Sequence, residues 1–207
     1  MIKPNPMGSL MQFVNPPAHY EVIKYTFYSR KLVPASIAGA FPSEIQFFTD
    51  QIGVAGATAR DTNLQKPNIL ASNPNRFLGQ FLNFTVYNTV EAIAVDPSLI
   101  TDMNQVIMQT YIRLELLSKE YLTVPTHHIP AGGGVWAAGL FTGYIGGAVN
   151  GFPQHSNAYA CEIPFERETA FTYKVMQSAG AGTYAIVTTN ALHLEASITG
   201  LLLRPTQ

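Results

Sequence analysis

Residues 21–30 read EVIKYTFYSR. Val22, Lys24, Thr26 and Tyr28 alternate with Ile23, Tyr25 and Phe27, and the residues are mostly β-branched or aromatic. Both features predict a strand with two distinct faces. The same reading extends outward. Ser43–Asp50 predicts a second strand. Phe77–Thr89 holds a third, centred on Gln80–Tyr87, where Phe81, Asn83, Thr85 and Tyr87 alternate with Leu82, Phe84 and Val86. Thr110–Leu117 alternates again, Ser118-Lys119-Glu120 predicts a turn, and Tyr121–Val124 starts the return strand. Further strands are expected near 135–142, 158–164, 168–176, 184–189 and 192–203, with a hairpin turn at Thr188–Ala191. Gln51–Asn75 is polar and interrupted by Gly53, Gly56, Pro67 and Pro74, and reads as irregular.

One helix interrupts this pattern. Asp96 suits an N-cap and Pro97 a first helical position. Leu99, Ile100, Met103, Val106 and Ile107 then recur at helical spacing, which predicts a helix over 97–108. Short, closely spaced strands with one helix indicate an all-β fold, a sandwich or barrel.

Only 25 of the 207 residues are Lys, Arg, Asp or Glu, 12 basic and 13 acidic. That is 12% charged, against roughly 25% in an ordinary soluble domain. With 47% apolar residues the chain can build a core. A near-neutral chain with no Lys/Arg run lacks the footprint of a nucleic-acid binder, so no direct sequence-specific contact with nucleic acid is expected. The single cysteine, Cys161, excludes an intrachain disulfide framework and a Cys-based zinc cluster. Low charge also keeps molecules apart poorly.

The deficit is concentrated. From Tyr121 to Cys161 there is no charged residue. Within that window, IPAGGGVWAAGLFTGYIGGAV (129–149) is long and apolar enough to suggest a membrane span. Its seven glycines and Pro130 favour a strand between glycine-rich loops instead. Residues 1–20 carry Pro4, Pro6, Pro16 and Pro17 around Met7, Leu10, Met11, Phe13 and Val14. Prolines disfavour helix, so an extended N-terminal arm is expected, covered by a neighbouring subunit or by its own domain. Prolines also stand where a signal peptide needs an apolar run. The expected organisation is an arm over 1–20 and one domain over 21–207.

No motif carries chemistry. His127 and His128 are adjacent and would point to opposite faces of a strand; His155, His19 and His193 are remote. No HxH or HExxH spacing, G-x-S-x-G elbow or phosphate loop is present. Glu166 and Glu168, two apart beside Arg167, read as one solvated strand face. No catalytic residue, metal or cofactor is expected, and the chain is read as a non-enzyme.

The order of pieces resembles a known family. An arm precedes a strand-rich body. Asp61-Thr62-Asn63-Leu64 precedes a strand containing Phe81-Leu82-Asn83-Phe84. A helix at Asp96–Met108 leads into a hairpin, Pro-Ala-Gly-Gly-Gly follows at 130–134, and the last strand ends Gly200-Leu-Leu-Leu-Arg204-Pro205-Thr-Gln207. This is similar to the single jelly-roll major capsid proteins of tailless icosahedral viruses of bacteria and archaea, some of them membrane-containing. The resemblance implies a single jelly-roll β-sandwich of about eight strands and a structural virion protein, made in the host cytoplasm. Such subunits form trimers or larger capsomers and then a shell around the genome. Other capsid or vertex proteins, or an internal viral membrane, are implied as partners. The chain's shortness fits one jelly roll, and it lacks the basic arm of coat proteins that touch a genome directly.

The residues proposed for assembly contacts are Met7, Leu10, Met11, Phe13, Val14, His127, His128 and Trp136. Two other readings remain. A lectin-like or receptor-binding sandwich would use Trp136, Tyr144 and Tyr159 for stacking. An enzyme on a β scaffold would draw on His127, His128 and His155.

Overall fold

The computed structural model describes residues 12–36, 41–88, 97–129, 135–137, 148–150, 159–178 and 186–206. Its elements are β1 (Tyr20–Val33), β2 (Glu44–Phe47), β3 (Arg76–Asn88), α1 (Pro97–Gln109), β4 (Thr110–Leu116), β5 (Lys119–Pro125), β6 (Val135–Ala137), β7 (Ala148–Asn150), β8 (Tyr159–Phe165), β9 (Phe171–Gln177) and β10 (Leu192–Pro205). Among the described residues, eight strands form two four-stranded sheets, ordered β1-β10-β3-β8 and β2-β9-β4-β5; β6 and β7 pair as a separate ribbon. Every pairing is antiparallel. The described residues form an all-β sandwich that carries the short helix α1.

The pairing is nested. Of the eight sandwich strands the first pairs with the last (β1 with β10), the second with the seventh (β2 with β9), the third with the sixth (β3 with β8) and the fourth with the fifth (β4 with β5). The sheets differ in length. β1 and β10 have 14 residues each and β3 has 13, whereas the strands of the second sheet have 4 to 7. At about 3.3 Å per residue the long strands run roughly 45 Å.

The alternation seen in the sequence decides what enters the core. Phe27 and Val33 of β1, Leu194, Ala196 and Ile198 of β10, and Leu82, Phe84 and Val86 of β3 are buried. They meet Phe47, Ile112, Leu114, Tyr173 and Val175 of the second sheet in one cluster. Phe47 bridges the sheets, with its ring 6.1 Å from Phe84 and 5.9 Å from Tyr173, both edge-on. α1 adds Met103, Val106 and Ile107 to the same core. The Thr110 hydroxyl donates to Val106 O at 2.6 Å and accepts from the Thr126 hydroxyl at 2.8 Å, tying the helix end to the end of β5.

Four local expectations are corrected. The turn between β4 and β5 is the two-residue Leu117-Ser118, both at positive φ (49° and 64°), one residue earlier than Ser118-Lys119-Glu120. Residues 186–188 form no strand. The backbone N–H groups of Thr189 and Asn190 go instead to the Asp102 carboxylate, both at 2.9 Å, so side chains capture donors that a ladder would need. Gln12–Val14 is a helical turn and not extended arm. No proline occurs between Pro6 and Pro16, so nothing blocks helix there. The hairpin turn at 188–191 is likewise a bend at Thr189-Asn190.

Candidate assembly surface

The outer face of the first sheet can be read row by row from the strand register. Thr26, Thr199 and Phe81 lie side by side, followed by Tyr28, Ser197 and Asn83, then Arg30, Glu195 and Thr85, then Leu32, His193 and Tyr87. Of these twelve residues only Arg30 and Glu195 carry formal charge. The rest are hydroxyls, amides, aromatic rings and Leu32. Thr26 and Thr199 join their hydroxyls at 2.9 Å. At the other end of the same face Leu78 and Leu203 form a small apolar cluster with Tyr20, Val22 and Leu201.

The outer face of the second sheet is different. Lys174 sits between Glu44 (3.4 Å) and Glu115 (3.7 Å), and Arg113 pairs with Glu120 at 3.4 Å. The Arg113 guanidinium also lies 5.9 Å from the Tyr111 ring centre. This is an ion-pair lattice of the kind that suits water. On the first sheet four rows thus hold a single charged pair, and Lys24 and Arg76 stand farther along the same face, in the rows of Leu201 and Leu203.

The free edge of β1 is covered. Arg30 N donates to Asp61 O at 2.7 Å, Tyr28 N to Asn63 Oδ1 at 3.1 Å, and Asn63 Nδ2 to Thr26 O at 2.8 Å. Thr62 Oγ1 donates to Tyr28 O at 3.2 Å. The Asp61-Thr62-Asn63-Leu64 segment that stood out in the sequence thus blunts a strand edge that would otherwise invite pairing. Asp61 is itself held: the Thr58 amide and hydroxyl, then Arg30, keep its carboxyl below the usual carboxylate range.

The sequence candidates are scattered. Met7, Leu10 and Met11 lie outside the described residues. Phe13 is buried against Leu78 and Leu203 of its own domain, and Gln12 accepts a hydrogen bond from Arg76. Val14 is exposed. His127 and His128 do not point to opposite faces. They share a 3-10 turn, Thr126–His128, with ring centres 4.4 Å apart. The turn, and not strand periodicity, sets their directions. Trp136 lies on β6 opposite Val149. Tyr144 and His155 lie outside the described residues. Glu166 and Glu168 do not share a strand face. Glu166 pairs with Arg76 at 3.4 Å, while Glu168, at φ 54°, pairs with Lys66 at 3.0 Å and accepts the Asn73 amide at 2.8 Å.

Among the described residues no group of three metal-ligating side chains converges, and no helix is long and apolar enough to cross a membrane. A hollow of about 390 Å3 lies at the bulge between β3 and β8, lined by Gln80, Phe81, Ala160, Cys161 and Glu162. Burial pushes the Cys161 thiol up to about 11, which leaves little thiolate near neutral pH. Sequence reasoning missed Glu195, His193 and Arg30. Their signal was present in the alternation of β1 and β10, but their adjacency depends on which strands pair. No family model, curated protein or solved structure matches the chain.

Proposed function

We propose that the chain is a structural subunit, a single jelly-roll coat protein that assembles with copies of itself into capsomers and then a shell. The observation that carries this reading is the contrast between the two outer faces. Burying a charge against another protein is costly unless it is paired. Four rows of the first sheet, from Thr26 to Leu32 along β1, hold one charged pair to desolvate, while the outer face of the second sheet carries a lattice of ion pairs. The nested strand order supports the jelly-roll part, because two Greek keys wrapped together produce such pairing. The blunted β1 edge supports lateral packing through faces in preference to strand addition. In this reading the shell is icosahedral, the subunit resides in the virion, and no catalysis is involved.

Electron microscopy and sedimentation velocity of the purified chain test it. Shells, sheets or discrete capsomers are the expected result. A monodisperse monomer at high concentration overturns the reading.

A further inference from the structure

One end of the first sheet's outer face brings Arg30, Glu195 and His193 together. Glu195 on β10 lies opposite Arg30 of β1. His193, two residues away on the same strand, lies between Leu32 and Tyr87. Arg30 reaches Asp61 of the edge-covering segment at 3.2 Å. Arg30 Nε and His193 Nδ1 are buried and have no hydrogen-bond partner among the described residues. Leu32 is 60% exposed and Tyr87 37%, so large apolar surface flanks the cluster.

The groups that act on Glu195 and His193 are Arg30 from β1, Arg60 and Asp61 from the covering segment, and Tyr87 from β3. At neutral pH two arginines balance two carboxylates, and the neutral histidine adds nothing. The arrangement is self-complementary. A copy related by a two-fold axis presents the Arg30–Glu195 pair in reverse order, so each guanidinium can face the other copy's carboxylate while Leu32 and Tyr87 are buried.

We propose that this cluster lies in a contact between two copies of the chain and makes that contact acid-labile. The inference rests on the assembly reading. Protonating Glu195 and His193 turns a balanced cluster into one carrying two net positive charges, and a two-fold contact sets it against its own image. Burial raises the Glu195 carboxyl above its ordinary value. Burial, then Arg30 and Arg60, lowers His193 below its own. The two titrations therefore move toward each other in the mildly acid range.

The test measures self-association of the full chain by sedimentation velocity at about pH 7.5 and about pH 4, above and below the ordinary ranges of both groups. Wild type is expected to associate at least about tenfold more weakly at the lower pH, the scale of a like-charge contact at moderate effective dielectric. High salt at the lower pH is expected to restore association, because it screens repulsion. The double variant Glu195→Gln, His193→Gln is expected to lose the pH dependence. Association of wild type that is indifferent to pH, failure of salt to restore it, or an unchanged pH profile in a folded double variant overturns this inference and leaves the assembly reading standing. Wild type that associates at neither pH removes both.

Discussion

Gly200 of β10 sits so close to Leu78 of β3 that a methyl group on its Cα would lie 2.8 Å from the Leu78 carbonyl carbon and 2.9 Å from Gly79 Cα. The contact falls where the register of β3 and β10 shifts, between Thr199 and Gly200. A bulge brings two backbones together, and only a residue without Cβ fits. Gly200→Ala is expected to destabilise the chain by about 3 kcal/mol, because rigid backbone must move. Urea unfolding measures it, and a loss below about 1 kcal/mol would show that the bulge relaxes freely.

Asp102 is 2% exposed. One of its oxygens accepts the Thr189 amide (2.9 Å), the Thr189 hydroxyl (3.0 Å), the Asn190 amide (2.9 Å) and the Asn190 side-chain nitrogen (3.0 Å). Next to this clamp Ser36 and Thr188 exchange bonds, Ser36 N to Thr188 O at 2.8 Å and Thr188 N to Ser36 Oγ at 3.1 Å. The network holds α1 and the exit of β1 to the approach of β10. Asp102→Ala is expected to cost about 3 kcal/mol by stranding these donors. Hydrogen exchange at Thr189 and Asn190 should accelerate first, and unchanged protection there would refute the clamp.

The β4–β5 turn holds Leu117 and Ser118 at φ 49° and 64°, with Leu117 69% exposed. Neither residue favours that conformation, which suits Asn-Gly in a two-residue hairpin turn. Leu117→Asn with Ser118→Gly is expected to stabilise the fold by about 1 kcal/mol. A thermal or urea midpoint that falls would mean that Leu117 is held by contacts outside the turn.

Cys161 offers a chemical check. With its thiol pushed up to about 11 by burial, the thiolate is scarce near neutral pH. Alkylation by iodoacetamide at about pH 8 is expected to run on the order of a hundredfold slower than for free cysteine. The rate should climb through the alkaline range, and denaturant should abolish the difference. Rapid labelling of the folded chain would contradict the burial.

Much of the fold was legible in the residues themselves. EVIKYTFYSR lies in β1, and its alternation separates Phe27 in the core from Thr26 and Tyr28 outside, because successive strand side chains take opposite faces. The helix reading over 97–108 meets α1 at Pro97–Gln109, since spacing and a first-turn proline are local signals. Over the described residues 186–191 the strand and hairpin-turn readings failed, and Asp102, some 87 residues away, claims the backbone donors there. The sequence by itself determined the strand-rich class, the helix and the charge deficit, all of them properties of neighbouring residues or of composition. Only the tertiary structure decided where the remaining charge lies. Tyr20 pairs with Pro205, and Arg30 meets Glu195, through register between the two ends of the chain. Such pairing is chosen by the joint packing of both sheets, and no local period records it.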